Sequence, residues 1–391
     1  MAESWLWKEA PSYYCGDELH RFKAARLEEF LAKAELDALV LMKSEAVRYV
    51  TDFYVKGYRP FMDLEYLVVV IPGKKPVVGH SSGSDTYRIQ VRSDIEDHRK
   101  LPGVDLWHEA LAGILNDYGV TRGRIGTDLM PFPIFLKLKE RFPAIEFVDA
   151  SHMWIELTVV KHPIEVELIK EALAIVEIGM CTAMEAIRPG IREYEVAAAA
   201  EYAMRKQGSE MSPAISNVAS GVNGCIFERI ATEKRIREGE LVILDLTAVH
   251  RGYTGDLGRT VCVGKPTALQ REICQVQHAS LQAAIEAVKP GVTCADVDAA
   301  AREAIASRSY SRYEHKFATG HQLGYGLHGE PAINKGVDFV LRPGMVIALE
   351  PRVTMFDRPE VGGAHAEDVV LVTETGHELL SHLKFDEALL G

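Results

Sequence analysis

The sequence has no long apolar run, no paired cysteines and no excess of basic residues. Its 391 residues include 44 lysines and arginines against 56 aspartates and glutamates, which gives a formal net charge of −12. A nucleic-acid-binding protein needs a concentrated basic face for the phosphates, so this balance argues against that class. No uncharged stretch approaches the roughly 20 apolar residues that cross a bilayer. We therefore expect no membrane span and no nucleic-acid partner.

Cysteine is scarce and scattered along the chain. No Cys-x-x-Cys pair occurs among Cys15, Cys181, Cys225, Cys262, Cys274 and Cys294. A chain of this length can bury a large core without disulfides, so reduced thiols are expected. The first residues include Glu3 and lack the basic and apolar segments of a signal peptide. Both features predict a cytoplasmic protein.

The spacing of apolar residues divides the chain into two parts. Up to about residue 150, helical patterns alternate with short apolar runs such as Tyr66–Ile71. A long helical segment then begins at Pro163, and mostly strand-like runs follow, interrupted by a helical pattern at Leu269–Val288. We predict an α/β domain over 1–157 and a second domain over 158–391 that carries the chemistry.

Four acidic residues border apolar strands in the second part. Asp245 ends the run Leu-Val-Ile-Leu, and Asp256 follows eleven residues later, a spacing at which one hairpin can return it beside Asp245. Glu350 ends Met-Val-Ile-Ala-Leu, and Glu367 stands just before Val369–Val372. Buried carboxylates at close range repel one another unless a cation compensates them.

A glycine-rich segment between these two pairs supplies imidazoles. Residues 320–328 contain His321 and His328, and we predict a loop there. Four carboxylates and one imidazole form a hard, oxygen-rich set that suits one or two divalent ions. Any one of these residues alone is more commonly solvated or hydrogen-bonded, so the prediction depends on the ordered recurrence of five.

The sequence motifs around these residues resemble those of a metallopeptidase family that includes aminopeptidase P, prolidase, methionine aminopeptidase and creatinase. The resemblance rests on Ile-Leu-Asp245, Gly-Tyr-x-x-Asp256, Gly-His321-x-x-Gly-x-x-x-His328, Leu-Glu350-Pro and Ala-Glu367-Asp. The run Arg48-Tyr-Val-Thr-Asp-Phe resembles the amino domain of creatinase and prolidase. The resemblance implies an α+β fold, in which a smaller α/β creatinase-type domain precedes a pita-bread catalytic domain. It also implies a homodimer.

The same resemblance implies an enzyme with two divalent ions, Mn, Fe, Co or Zn. The ligands it implies are Asp245, Asp256, His321, Glu350 and Glu367. Asp256 and Glu367 would bridge the ions, and a metal-bridged hydroxide would attack the carbonyl carbon of an Xaa-Pro peptide, so that its C–N bond is cleaved. Glu350 would accept the proton of that water, and His328 would stabilise the developing oxyanion.

Several positions depart from the peptidase pattern. Glu228 stands where those peptidases hold a histidine, His365 where they tend to carry an arginine, and Gly258 where a small hydroxyl residue is usual. Tyr58-Arg59-Pro60 aligns with the Gly-Arg-Pro of creatinase, whose arginine reaches a substrate carboxylate from the partner subunit. We therefore expect Glu228, Arg59 and His365 to contact the substrate.

These departures leave two alternatives to the peptidase open. One is a non-peptidase of the same family that acts on a small zwitterionic solute, as an ectoine-type hydrolase, a creatinase-like amidinohydrolase or a dimethylsulfoniopropionate-type lyase would. The other is a catalytically silent binding protein. The intact ligand set argues against the second alternative, because four neighbouring acids repel one another without metal.

Overall fold

The computed structural model describes residues 16–52, 65–92, 95–210, 216–225 and 230–391. The chain divides into two compact units, Met1–Thr158 and Val159–Gly391. Across the described ranges, none of the helices combines the length and apolar character that crossing a bilayer requires. The thiols of Cys181, Cys225, Cys262, Cys274 and Cys294 are free.

The first unit is a six-stranded mixed sheet with helices. Its strands are β1 (Ala38–Leu41), β2 (Tyr66–Val70), β3 (Val77–His80), β4 (Asp97–Lys100), β5 (Gly123–Thr127) and β6 (Ile145–Asp149), in the order β4-β3-β2-β1-β5-β6. Its helices are α1 (Asp17–Lys33), α2 (Ser44–Thr51), α3 (Gly83–Arg92), α4 (Trp107–Asp117), α5 (Phe132–Arg141) and α6 (Met153–Thr158). Every residue of β1 and β2 is buried, as continuous apolar strands covered on both faces should be.

The second unit contains three antiparallel sheets and six helices in its described part. The strands are β7 (Ser216–Ser220), β8 (Leu241–His250), β9 (Tyr253–Cys262), β10 (Gly320–Gly324), β11 (Gly326–Ile333), β12 (Val346–Leu349), β13 (Arg352–Thr354), β14 (Gly363–His365), β15 (Asp368–Val372) and β16 (His377–Leu379). The strand orders of the three sheets are β7-β8-β9, β11-β10-β12-β15-β16 and β13-β14. The helices are α7 (Pro163–Ala186), α8 (Glu193–Lys206), α9 (Val222–Cys225), α10 (Ala268–Ala287), α11 (Cys294–Ala306) and α12 (Glu387–Leu390).

The two long helices expected in this unit are present: α7 begins at the predicted Pro163, and α10 begins and ends one residue before its predicted limits. Pro163 opens α7, where its missing N–H is tolerated, and His162 caps the helix by accepting from Ile164 N. Thr267 caps α10 in a reciprocal pair with Gln270, which satisfies free amides of the first turn.

The predicted loop over 320–328 is wrong, because these residues form the β10–β11 hairpin. Gly324 and Gly326 supply φ angles of +154° and +97° at the reversal, a region that favours glycine. A side chain at Gly320 would place its Cβ 2.0 Å from the Ala348 carbonyl oxygen on the neighbouring strand β12. The glycines therefore mark close strand contact and a tight turn.

The β8–β9 hairpin returns the second aspartate beside the first, as the spacing predicts. Asp245 is paired with Gly258 and Thr247 with Asp256, so both carboxylates lie on the same face of the ribbon. Gly258 also forms an antiparallel bridge with Glu367, whose N–H donates to the Gly258 carbonyl at 3.0 Å. This bridge brings the third acid to the hairpin.

Helix α10 holds the segments that carry the two glutamates. The buried Gln277 side chain donates from Nε2 to the carbonyl oxygen of Pro351 at 2.9 Å and to that of Ala366 at 3.1 Å. Pro351 follows Glu350 and Ala366 precedes Glu367, so one amide fixes the spacing of both glutamates.

Replacing Gln277 with methionine should lower the free energy of unfolding by about 2 kcal/mol, because two buried carbonyl oxygens lose this donor. Urea unfolding of the chelated protein measures the change. Gln275→Met on the exposed side of the same helix is the matched control and should change stability by less than about 0.5 kcal/mol. Equal losses in the two variants would contradict the role of Gln277.

Candidate metal centre

The structure brings all five predicted ligands together in one buried cluster of the second unit. The exposed fractions are 6% for Asp245, 3% for Asp256, 6% for His321, 6% for Glu350 and 1% for Glu367. The aspartates come from the β8–β9 hairpin, the histidine from β10, and the glutamates from the end of β12 and the start of β15. His321 Nε2 lies 3.7 Å from Glu350 Oε1 and 3.8 Å from Asp256 Oδ2.

Two groups of metal-ligating atoms occur within this cluster. Asp256, His321 and Glu367 form one group, and Asp245, His365 and Glu367 form the other. In each group, one donor atom per residue lies within 4.8 Å of the others. Glu367 belongs to both groups, which is the position that a bridging carboxylate requires.

The charges of the cluster fit divalent cations. Burial raises the pKa of Glu367 well above its ordinary value, and the nearby carboxylates of Asp256, Glu350 and Asp245 raise it further. Glu367 Oε1 has no hydrogen-bond partner within the part of the chain that the structure describes. A buried, unsatisfied carboxylate among like charges is unfavourable without a cation, so these residues suit the ions that the sequence implied.

One cation near the cluster, Arg352, was missed by sequence reasoning. Its Nη2 donates to Asp245 Oδ2 at 2.8 Å and lies 3.5 Å from Glu350 Oε2. The guanidinium carbon is 5.6 Å from the centre of the Phe317 ring, within cation–π range. The available signal was its place two residues after Glu350, on the same side of an extended segment. Asn217, which also donates to Asp245 Oδ2 at 3.2 Å, carried no sequence signal.

A small cavity opens onto the carboxylates. His328 on β11 lines it beside Leu327 and Thr247, and the His328 ring meets that of His321 edge to face at 4.6 Å. Glu350 also lines the cavity, so its carboxylate reaches both the cluster and the open space.

Of the three predicted substrate contacts, only His365 belongs to the part of the chain that the structure describes. His365 is fully buried on β14, with Nε2 3.8 Å from Asp245 Oδ2 and 3.9 Å from Glu367 Oε2. Arg59 and Glu228 lie outside the described residues. Their roles as substrate contacts stay predictions.

Comparison with known proteins identifies the family. Residues 167–374 match the model of metallopeptidase family M24, and residues 23–158 match that of the creatinase/prolidase N-terminal domain. The chain belongs to metallopeptidase family M24. The predicted α+β fold, with a pita-bread domain after a smaller creatinase-type domain, is confirmed.

Relatives within this family include Xaa-Pro dipeptidases. One from Pyrococcus horikoshii is 29% identical over 364 residues, which are 92% of this chain and 96% of that protein. Another, from Pyrococcus furiosus, is 36% identical over 261 residues, 67% of this chain and 73% of that one. The crystal structure of the prolidase from Pyrococcus horikoshii OT3 superimposes with a TM-score of 0.81 at 27% identity, covering 93% and 99% of the two chains. The predicted metal-dependent hydrolase is thereby confirmed as a family M24 peptidase.

Replacing Glu367 with glutamine should stabilise the chelated protein and abolish its metal binding. The substitution removes one of four crowded carboxylates together with the donor common to both groups. A gain of about 1 kcal/mol would raise the thermal unfolding midpoint by roughly 2–4 °C in a unit of this size.

This gain in stability should depend on pH. Because the pKa of Glu367 is raised in the folded state, the stability of the wild type falls as the pH rises through that pKa, and the difference in stability between the variant and the wild type should grow.

The matched control is Glu374→Gln, at an exposed position after β15, which should change neither quantity. A lower unfolding midpoint for chelated Glu367→Gln, or full metal retention measured by mass spectrometry, would contradict the electrostatic account.

Proposed function

We propose that this protein is an Xaa-Pro dipeptidase, a prolidase-type enzyme that depends on two divalent metal ions. The observation that carries the proposal is the buried cluster of four carboxylates and an imidazole, in a chain whose relatives over more than nine tenths of its length include an Xaa-Pro dipeptidase. The substrate is a dipeptide whose second residue is proline.

The proposed ligands are the five residues predicted from the sequence, with Asp256 and Glu367 shared between the ions. Oxygen-rich sets with an imidazole accept Mn, Fe, Co or Zn. When bound, such ions supply Lewis acidity, which polarises a carbonyl and makes a water nucleophile available near neutral pH.

The other roles fall to residues that face the cavity. Glu350 touches both the cluster and the open space, so its carboxylate is placed to take a proton from an incoming water. His328 is exposed to the cavity, so an N–H of its ring is placed to donate to the carbonyl oxygen as negative charge develops there. Arg352 Nη2 pairs with Asp245 Oδ2 at 2.8 Å and lies 3.5 Å from Glu350 Oε2, so it holds both carboxylates in position.

The zwitterion-specific alternative is not favoured by the relatives, which include Xaa-Pro dipeptidases at high coverage. Two of the three residues that motivated it, Arg59 and Glu228, lie outside the described residues. A substrate screen that includes small zwitterionic solutes beside Xaa-Pro dipeptides separates the two activities directly.

The proposal also includes a homodimer in the cytoplasm. The family resemblance supports the dimer, and the free thiols of the five described cysteines support a reducing compartment. Light scattering coupled to size-exclusion chromatography should give a molar mass twice that of one chain.

Asp256→Asn should lower kcat/KM for a Gly-Pro dipeptide by at least about a thousandfold, because a neutral amide is a weak substitute for a bridging carboxylate. Initial rates of metal-loaded protein measure the loss. Asp338→Asn, at an exposed position in the same unit, is the matched control and should retain wild-type rates. Comparable activity in Asp256→Asn and wild type would contradict the proposal.

His328→Ala should reduce kcat about a hundredfold or more while KM and the number of bound ions change little, since the lost interaction forms mainly in the transition state. Steady-state kinetics and metal analysis of the same preparation separate these effects. A change confined to KM would instead assign His328 to substrate binding.

A further inference from the structure

A second imidazole belongs to the cluster, beyond the one that the family pattern supplies. His365 has no exposed surface, and its Nε2 lies 3.8 Å from Asp245 Oδ2 and 3.9 Å from Glu367 Oε2. We propose that His365 is a sixth metal ligand, on the ion held by Asp245 and Glu367. The inference rests on the proposed two-ion centre and deepens it.

The space for this imidazole depends on Gly258. A Cβ atom at that position would lie 2.3 Å from His365 Nε2 and 2.7 Å from Cδ2, far inside van der Waals contact. Any side chain at position 258, including the small hydroxyl side chain that is usual there, would therefore have to displace the ring. The two departures from the peptidase pattern, Gly258 and His365, are therefore one structural feature.

Arg352 makes a histidine at 365 compatible with the charge of the site. Arg352 and His365 are directly paired across the β13–β14 ribbon, and Arg352 Nη2 lies 3.4 Å from His365 Nε2. The cation that the peptidases tend to place at 365 is here supplied from the opposite strand and pairs with Asp245. Position 365 can therefore carry an imidazole with a ligating nitrogen in place of the arginine.

The backbone fixes where this imidazole sits. Thr260 Oγ1 accepts from His365 N at 2.9 Å and donates to His365 O at 2.7 Å, which locks β14 against β9. A ligand held this firmly loses little freedom when a metal binds, so the arrangement is preorganised.

The result is a nearly symmetric pair of donor groups. Each group consists of one aspartate, one imidazole and the shared Glu367. Imidazole suits Zn, Fe and Co better than Mn, which prefers oxygen. We therefore expect the ion beside His365 to discriminate against Mn more strongly than an all-oxygen site would.

The deciding experiment counts imidazoles at the metal by X-ray absorption spectroscopy of cobalt-loaded full-length protein. Wild type should show on average one imidazole per ion, and His365→Gln should show one imidazole per two ions if both ions remain. If the His365→Gln variant does not retain the second ion, metal analysis should instead give one ion per chain, with the affinity of that second site lowered at least about tenfold.

Two further variants control this experiment. Gly258→Ser should displace the ring and give the same loss as His365→Gln, while His328→Gln, which removes a cavity histidine not proposed as a ligand, should keep the wild-type count. Circular dichroism and the unfolding midpoint of the chelated variants verify folding.

Both ions bound with the same imidazole count in wild type and His365→Gln would overturn the assignment of His365 alone. No cobalt bound to wild type would overturn the proposed two-ion centre itself. The two failures are therefore distinguishable without any measurement of peptidase activity.

Discussion

The mutual repulsion of four buried carboxylates is the main electrostatic constraint on the second unit. Asp245, Asp256, Glu350 and Glu367 approach one another in a volume from which water is largely excluded, and the pKa of Glu367 is raised as a result. Arg352 compensates part of this charge, mainly through Asp245 and Glu350, yet the pKa of Glu367 stays well above its ordinary value. The proposed metal ions would supply the missing positive charge, so metal binding would also stabilise this region.

The scaffold holds these charges in place with contacts that are strong and mostly backbone-based. The β8–β9 hairpin fixes the aspartates, the bridge from Gly258 fixes Glu367, and Gln277 ties the segments that carry the glutamates. Arg259 adds a buried donor to the Glu367 carbonyl oxygen at 2.7 Å. Because the acids come from the β8–β9 hairpin and from two further segments of the chain, the cluster forms only when these parts of the unit pack together. Rigid placement of this kind lets a site act without large rearrangement.

The sequence predicts which five residues meet in the cluster because its signals are local. Each acid stands beside a continuous apolar strand, and the order of the five residues matches a family pattern. The loop assigned to 320–328 was wrong because glycine content alone does not distinguish a loop from strands in close contact. Arg352 was missed for a different reason: its importance comes from cross-strand pairing with His365, and register is a tertiary property.

Two departures from the peptidase pattern that look independent in the sequence, Gly258 and His365, are in direct contact in the structure. Gly258 and His365 are 107 residues apart, yet the ring of one fills the space that the other leaves. The sequence assigned His365 to the substrate because only the change of residue type was visible. The structure instead buries its ring completely beside Asp245 and Glu367, two of the proposed metal ligands.

The central claim is that this cluster holds divalent ions on which Xaa-Pro hydrolysis depends. The most direct test titrates chelated full-length protein with cobalt or manganese and records bound ions and the initial rate on an Xaa-Pro dipeptide in the same samples. The account predicts negligible hydrolysis without metal and a rate that saturates at two ions per chain. Full hydrolysis by the chelated protein, or two bound ions with no hydrolysis of any Xaa-Pro dipeptide, would contradict it.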